Sequence, residues 1–247
     1  MSNIFDFKLV FTQIPKLLKY LPITMELAVL AMVFGILLGL VIAIIKIKQI
    51  PVLQKIAVFY ISIIRGTPIL VQLYIAYFGI PMFFKWLNLR FGTDFHVAEI
   101  PGFVYAVFAM GINESAYNAE IIRSALQSVN VGQIEAASAL GMTYVQSLRR
   151  IILPEAITVA LPTLGNAFIS VIKGTSLAFT CAVVEMTAQG KILSGMTYRY
   201  FEVYVSLAII YWVITIVIEQ TLKIIERKLA IPDQVETLVS AGQGVAK

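Results

Sequence analysis

The stretch that decides the fold is residues 23–45, ITMELAVLAMVFGILLGLVIAII, in which the only polar side chains are Thr24 and Glu26. A helix rises about 1.5 Å per residue, so this stretch is long enough to cross a hydrocarbon layer of roughly 30 Å. Gly35 and Gly39 form a Gly-x-x-x-Gly pair within it, which we interpret as a face for close helix packing. The stretch predicts a membrane-spanning helix.

The composition extends this prediction to the whole chain. Of its 247 residues, 59% are hydrophobic and 13% are charged, whereas a soluble domain carries about 25% charged residues. The formal net charge of +5 includes no block of lysines and arginines, so nucleic acid is not an expected partner. His96 and Cys181 are the sole residues of their types, which excludes a multi-histidine metal site and an intrachain disulfide.

An all-α transmembrane fold with five membrane-spanning helices is predicted. The four further spans are residues 56–84, 100–127, 157–184 and 204–225. Residues 1–22 contain Lys8, Lys16 and Lys19 among apolar residues and predict an amphipathic helix on the membrane surface. Residues 23–228 are predicted to form a single transmembrane domain, and residues 229–247 a cytoplasmic tail.

The distribution of basic residues predicts the orientation. Five spans place the two chain ends on opposite sides of the membrane. With the amino terminus outside, nine lysines and arginines fall on the cytoplasmic side and four in the outer loops, although Lys8, Lys16 and Lys19 add to the outer side. Cytoplasmic loops carry an excess of basic residues. We therefore expect the carboxyl terminus in the cytoplasm, and residues 85–99 and 185–199 in outer loops.

Two predicted spans contain residues that break helices. RGTP at residues 65–68 places a proline in the second span, and KGTS at residues 173–176 interrupts the fourth. A proline removes one amide donor and frees an upstream carbonyl, so both helices are predicted to be kinked. Broken helices at membrane depth often line a substrate path. The alternative for Arg65 is a position near the cytoplasmic edge, where its long side chain reaches water.

The third span is the most polar, which predicts that one side of it faces the interior of the bundle. Gln72, one turn after Pro68, should likewise face the interior or a wet cavity. The candidate residues for substrate binding and translocation are Arg65, Thr67, Gln72, Asn113, Glu114, Lys173, Thr175 and Ser176.

The longest polar interruption is GQIEAASALG at residues 132–141. Its small residues suit a short helix pressed against another surface, and Gly141 allows that helix to bend or end. We expect a partner outside the membrane to dock there. The chain contains no Gly-x-x-x-x-Gly-Lys-Ser/Thr phosphate loop, no Gly-x-Ser-x-Gly and no His-Glu-x-x-His. It is therefore not expected to be an enzyme, and a partner or an ion gradient must supply energy for uphill transport.

This polar stretch resembles the Glu-Ala-Ala loop of binding-protein-dependent ABC importer permeases. Glu135, Ala136 and Ala137 are followed after three residues by Gly141, and after nine more by the Ile-x-Leu-Pro of residues 151–154. The RGTP motif with Gln72, AYNAEIIR at 116–123 and QSV at 127–129 are similar to the polar amino-acid branch of that family. The resemblance covers residues 23–228.

The resemblance implies a set of partners and a location. The loop would form a coupling helix in a groove of an ABC ATP-binding subunit dimer, and ATP would be bound there, so no cofactor is expected on this chain. A second permease chain, identical or different, and an external solute-binding protein would complete an importer in the bacterial plasma membrane. ATP would drive alternating access for an amino-acid substrate. The coupling residues would be Gly132, Glu135, Ala136, Ala137 and Gly141.

Two departures from the family bear on the substrate. Many relatives have Lys-Asp-Thr-Ser-Leu where residues 173–177 are KGTSL, so an acidic group is missing. This suits a substrate without a strongly cationic side chain, and cystine or another sulfur-containing amino acid is our specific expectation. Glu114 stands where a small or neutral residue is expected. We hypothesise that it contacts the substrate ammonium or pairs with Lys173 in the empty site; the alternative is a structural pair or a peripheral charge.

Two other classes of protein compete with the importer. An ion-coupled secondary carrier or channel would use Glu114, Lys173 and Arg65 as intramembrane charges. It would not explain the Glu-Ala-Ala loop, and the two halves of the chain show no convincing repeat. A structural or signalling subunit would leave the broken helices without a role.

Overall fold

The computed structural model describes residues 5–96 and 99–229, and within these residues all regular structure is helical. The α-helices are α1 Phe7–Leu18, α2 Leu21–Ile47, α3 Leu53–Gly66, α4 Ile69–Tyr74, α5 Ile80–Phe91, α6 Gly102–Gln127, α7 Val131–Ala139, α8 Tyr144–Ser147, α9 Leu153–Gly174, α10 Met186–Thr197 and α11 Tyr200–Leu229. The π-helical turns Ile75–Gly79 and Leu148–Ile152 join α4 to α5 and α8 to α9, and the 3₁₀ segment Thr175–Cys181 follows α9.

Four continuous helical stretches are long and apolar enough to cross a membrane: Leu21–Ile47, Ile69–Phe91, Tyr144–Cys181 and Tyr200–Leu229. This agrees with an all-α transmembrane fold. The predicted third span corresponds to α6, which has 26 residues and is therefore about 39 Å long. Helix α6 is long enough to cross a membrane but is more polar than the four stretches above, and it is not among them. The count of five spans therefore stays a prediction.

Two predicted outer loops are wrong in part, because each contains a helix. Residues 85–91 continue α5, which ends at Gly92 with φ +65° and a hydrogen bond from Gly92 N to Asn88 O. Glycine is the first residue after Pro81 that stops a helix without a steric cost. In the second loop α10 occupies Met186–Thr197. Residues 1–4, 97–98 and 230–247, with almost all of the predicted cytoplasmic tail, lie outside the described residues.

The centre of the bundle is the contact between α2 and α6. A Cβ built on Gly35 would lie 2.7 Å from the Glu114 Cβ, and one built on Gly39 would lie 3.0 Å from the Ala119 N. Both glycines are therefore needed for the two backbones to approach so closely. The predicted packing role of the Gly-x-x-x-Gly pair is confirmed. Cys181 is buried in the adjoining apolar core as a free thiol.

Helix α1 packs against α11. The Asp6 carboxylate caps α1 by accepting hydrogen bonds from Lys8 N (3.0 Å) and Leu9 N (3.2 Å). Val10 and Leu17 are buried, and Ser206 Oγ of α11 donates to Val10 O at 2.8 Å. The buried face of the predicted amphipathic helix therefore packs against α11. Its position at the membrane surface stays a prediction.

Candidate functional site

The chain is not helical at Thr67 and Pro68, which separate α3 from α4. Both residues have extended backbones, with ψ of 141° and 138°. Such a break leaves carbonyl groups at the end of α3 without helical partners. Thr67 Oγ1 donates to Ile63 O at 2.9 Å. Gln72 Nε2 donates to Ile64 O at 2.9 Å and to Thr67 Oγ1 at 2.7 Å. Two side chains of the motif thus satisfy the backbone that Pro68 disrupts.

Gln72 also joins this break to α6. Asn113 Nδ2 donates to Gln72 Oε1 at 3.0 Å, and both side chains are half-buried. Thr67, Gln72 and Asn113, here called the Gln72 cluster, therefore meet between α4 and α6. The cluster offers both donors and acceptors to a polar solute without any net charge.

Arg65 lies beside the same helix. Its guanidinium carbon is 5.2 Å from the centroid of the Tyr117 ring, within the range of a cation–π contact. The Arg65 side chain is exposed. One face of the guanidinium is therefore held by an aromatic ring, and its N–H groups are available to a carboxylate.

The structure separates Glu114 from Lys173. Glu114 packs on Gly35 of α2, whereas Lys173 is exposed at the end of α9. None of the ion pairs within residues 5–96 and 99–229 joins the two. The hypothesised empty-site pair is absent from this conformation, and the substrate contact of Glu114 stays a prediction.

The second interruption, at residues 173–176, packs on α6 as well. A Cβ built on Gly174 would lie 3.8 Å from Met110 Cε, one turn before Asn113. There the α-helix tightens into the 3₁₀ segment, and buried Thr175 donates from its Oγ1 to Ile172 O at 2.6 Å. Ser176 is half-buried. The two interrupted segments thus contact neighbouring turns of one polar helix.

Glu185 is a buried residue that sequence reasoning missed, because its charge marked it as part of an outer loop. It is fully buried and caps α10, accepting hydrogen bonds from Ala188 N (2.7 Å) and Thr187 N (2.9 Å). Tyr211 Oη donates to Glu185 Oε2 at 3.3 Å. Burial raises the pKa of the Glu185 carboxyl, and these hydrogen bonds lower it by less. Glu185 therefore fixes α10 to α11.

A charged cluster joins α2 to α6. Glu120 forms ion pairs with Lys46 and with Arg123, whose Nη2 is 2.8 Å from Glu120 Oε2. Lys46 belongs to the last turn of α2. Glu120 of α6 therefore forms a structural ion pair with a neighbouring helix.

The polar stretch forms the short helix α7. Asn130 caps its start by accepting from Gly132 N at 2.8 Å. Its end is a Schellman motif, in which Gly141 has φ +76° and donates to Ser138 O, and Met142 N donates to Ala137 O, both at 3.0 Å. Of the predicted coupling residues, Ala137 is buried, and Gly132, Glu135, Ala136 and Gly141 are exposed.

An apolar rim surrounds the exposed face of α7. The rim residues are Val131, Leu140, Tyr144 and Val145, with exposed fractions of 66%, 83%, 72% and 68%. Val131 and Leu140 lie outside the four long apolar stretches, and Tyr144 and Val145 are at the very start of Tyr144–Cys181. Exposed apolar surface of this kind is typical of a protein interaction site. Sequence reasoning missed these residues, because apolar side chains carry no special signal in so apolar a chain.

The sequence of the chain matches one family of transport proteins over most of its length. Residues 35–231 match the family described as the binding-protein-dependent transport system inner membrane component. The chain belongs to this family. The permease is 42% identical over 230 residues to the probable amino-acid permease protein YxeN of Bacillus subtilis, covering 93% of this chain and 98% of that protein. It is 38% identical over 229 residues to the L-cystine transport system permease protein TcyL of Bacillus subtilis, covering 93% of each chain.

A solved structure agrees with these relatives. The permease resembles a chain in the crystal structure of an amino acid ABC transporter with histidines, with a TM-score of 0.75 and 40% identity, covering 91% of this chain and 99% of that one. The resemblance inferred from the Glu-Ala-Ala loop is confirmed. The family match contains both interrupted segments and α7, whereas α1 precedes it.

Proposed function

We propose that the permease is the membrane subunit of an ABC importer that carries polar amino acids into the bacterial cell by ATP-driven alternating access. The observation that carries this proposal is α7, a capped helix whose exposed face of small residues is surrounded by an apolar rim. The names of the relatives, which refer to amino acids and cystine, support the substrate class.

In the proposed assembly α7 docks on a dimer of ABC ATP-binding subunits. The small side chains of Gly132 and Ala136 allow close approach, Glu135 supplies a charge, and the rim supplies apolar contact. A second permease chain and an external solute-binding protein complete the importer. The amino terminus lies outside the plasma membrane and the carboxyl terminus in the cytoplasm.

The position of α7 in the chain supports a mechanical role. It follows α6 after residues 128–130 and precedes the helical stretch Tyr144–Cys181. These two helices carry Asn113 and residues 173–176. A rotation of α7 driven by the ATP-binding subunits would therefore act on both sides of the proposed substrate path without a further connecting element.

The polar groups suggest how an amino acid is recognised. In our proposal Arg65 binds the substrate carboxylate, the Gln72 cluster hydrogen-bonds its polar groups, and Glu114 attracts its ammonium. Lys173, Thr175 and Ser176 line the other interrupted segment. The missing acid at Gly174 favours a neutral side chain, and cystine or another sulfur-containing amino acid is the specific substrate we propose.

Uptake by vesicles tests the transport mechanism. The permease is reconstituted with its candidate ATP-binding subunit and binding protein, and amino-acid uptake is measured with ATP inside the vesicles. We expect uptake to require ATP and to be independent of an ion gradient. Uptake driven by an ion gradient in the absence of ATP would instead support a secondary carrier. Thermal stabilisation of the complex across a panel of amino acids identifies the substrate.

Variants of the docking surface test α7 directly. Leu140→Asp removes apolar contact and introduces a charge, and Glu135→Arg reverses one. We expect each to weaken association with the ATP-binding subunit at least tenfold, with normal membrane insertion. The matched control is Met196→Asp, because Met196 is 75% exposed on α10 and lies outside the four long apolar stretches. If all three variants associate with the ATP-binding subunit as tightly as the unmodified chain does, α7 is excluded as the docking surface.

A further inference from the structure

The exposed residues of α9 change in character at Pro162. Before it they are leucine, isoleucine, valine and proline, whereas the exposed residues that follow it are all polar: Thr163, Asn166, Ser170 and Lys173. Successive members are three or four residues apart, so they share one face of the helix. This row, here called the α9 stripe, is about 15 Å long.

Helix α2 shows the composition that a lipid-facing surface has. Between residues 29 and 44 each of its exposed residues is valine, leucine or isoleucine. Both helices belong to stretches long and apolar enough to cross a membrane, and the α9 stripe lies inside the predicted span 157–184. The residues that the structure describes cover neither face. The difference in composition therefore indicates that the two faces meet different surroundings.

The polar groups of the stripe need partners that hydrocarbon cannot supply. An unsatisfied polar group in the hydrocarbon core costs several kcal/mol. Ser170 Oγ donates to Asn166 O at 3.0 Å. The Thr163 hydroxyl and the Asn166 side-chain amide form no hydrogen bond with any residue in 5–96 and 99–229, and Lys173 forms no ion pair there. Water or a polar solute would satisfy them.

The two ends of the stripe lie beside the candidate site and beside α7. At the end of α9, a Cβ built on Gly174 would lie 3.8 Å from Met110 Cε, one turn before Asn113 of the Gln72 cluster. At the other end Ala160, one turn before the stripe begins, belongs to an apolar cluster against which Ile134 of α7 packs. The stripe therefore extends from the candidate site towards the α7 side of the bundle.

We infer that the α9 stripe lines a water-filled route through which a polar, zwitterionic amino acid passes between the Gln72 cluster and the α7 side of the membrane. This inference rests on the proposed transport function and adds Thr163, Asn166 and Ser170 to the residues that meet the solute. Their hydroxyl and amide groups offer donors and acceptors without a charge. Solute is thus hydrated without being held tightly, as passage requires.

The reactivity of introduced thiols tests the medium around the stripe. Cys181 is the chain's single cysteine and is fully buried, so Cys181→Ala provides a background without thiols. Single cysteines are then placed on the stripe, in Thr163→Cys, Asn166→Cys and Ser170→Cys. The complex with the ATP-binding subunit is placed in lipid nanodiscs, which leave both membrane faces open to reagent. A cationic methanethiosulfonate is added without ATP, and intact mass spectrometry follows its reaction with the permease chain.

The matched controls are Val33→Cys, Leu37→Cys and Val41→Cys in the same background. These positions of α2 are 49%, 61% and 53% exposed. The reacting species is the thiolate, which forms in water and not in hydrocarbon, so we expect the stripe positions to react at least about tenfold faster than the controls. An uncharged, lipid-soluble maleimide should reduce this difference, because it reaches both faces.

An uptake measurement tests whether the solute uses this route. Asn166→Leu makes the middle of the stripe apolar, and an apolar constriction excludes water. We expect ATP-dependent amino-acid uptake to fall by about fivefold or more, with unchanged association with the ATP-binding subunit. The matched control, Val41→Leu, enlarges an exposed side chain of α2 and should leave uptake unchanged.

Several outcomes would overturn the inference. Equally slow labelling of the stripe and of α2 would show that the stripe is not in water. Slow labelling together with a disulfide between two Asn166→Cys chains would show that a second copy packs directly on it. Fast labelling with normal uptake by Asn166→Leu would exclude the route for the solute. Labelling needs no ATP, so these results differ from a failure of the proposed function, in which the unmodified complex shows no ATP-dependent uptake.

Discussion

Two short helices, α7 and α10, lie outside the predicted spans and differ in what holds them. Helix α10 begins at the buried carboxylate of Glu185, and Met186 packs with residues of α1 and α11. A Cβ built on Gly190 would come 2.6 Å from Leu207 Cδ1. Helix α7 begins at exposed Asn130, and Ala137 is its buried residue. The chain itself therefore fixes α10, whereas most of the surface of α7 is left for another protein.

This difference predicts which substitutions should change the stability of the chain and which should change its association with a partner. A residue that satisfies buried backbone donors contributes to folding, because its loss leaves those donors without partners. An exposed residue on a docking surface contributes to the free energy of association and little to the free energy of unfolding.

The largest expected effect is on Glu185. In Glu185→Ala the amides of Thr187 and Ala188 and the hydroxyl of Tyr211 lose a common acceptor. Loss of a helix cap costs about 1 kcal/mol and unsatisfied buried donors cost more, so we expect the free energy of unfolding to fall by about 2–4 kcal/mol. Unfolding of the detergent-solubilised chain in denaturant measures it.

Glu135→Ala in α7 is the matched control, since it removes the same side chain from an exposed position. We expect a change in unfolding free energy below about 0.5 kcal/mol together with weaker association with the ATP-binding subunit. Similar destabilisation by the two variants would remove the distinction between the two helices.

A smaller effect concerns pH. The pKa of Glu185 is raised above its ordinary value of 4.5 in the folded chain, chiefly by burial. A folded state that binds the proton more tightly than the unfolded state is stabilised below pH 4.5, and this contribution is lost as pH rises through the raised pKa. Glu185→Gln removes the titration, so its melting temperature should depend less on pH across this window. Glu135→Gln should retain the dependence of the unmodified chain, and identical pH profiles for all three would exclude Glu185 as its source.

The spanning helices could be predicted because hydropathy reports what contacts lipid. Residues 23–45 lie within Leu21–Ile47, and residues 204–225 lie within Tyr200–Leu229. The helix boundaries could not be predicted as well, because α5 continues to Phe91 through a polar mixture that hydropathy assigns to a loop. A helix continues wherever its backbone is unbroken, whether or not its side chains suit the hydrocarbon.

The candidate site could be predicted where a polar side chain lies within a predicted span and therefore needs hydrogen-bond partners inside the protein. A glutamine at membrane depth must find partners, and Gln72 finds them in Thr67 and Asn113. Glu185 could not be found in this way, because it is held by Tyr211 of α11, 26 residues further along the chain. Overall similarity also does not decide the substrate, since the 40% identical chain comes from an amino acid transporter solved with histidines and the 38% identical relative is named for L-cystine transport.

The smallest expected effect compares two glycines. Gly141 ends α7 with φ +76°, whereas Gly195 lies inside α10 with no atom within 4 Å of a built Cβ. Gly141→Ala forces a side chain into the left-handed region and should destabilise the chain by about 1 kcal/mol. Gly195→Ala should stabilise it by about 0.5–1 kcal/mol, because alanine restricts the unfolded chain and suits a helix. Melting temperatures of the two variants should therefore shift in opposite directions.

The Gly141 variant also tests how the end of α7 contributes to docking. If the Schellman motif orients Leu140, whose side chain is 83% exposed, then Gly141→Ala should weaken association with the ATP-binding subunit by more than its loss of stability explains. Gly195→Ala should leave association unchanged, because α10 is fixed by its own contacts with α11. Equal association of both variants would mean that the rim around α7 acts without a defined turn. The difference between α10, which the chain itself fixes, and α7, which is left for a partner, would then arise from the cap at Glu185 and the exposed face of α7, without a contribution from the turn at Gly141.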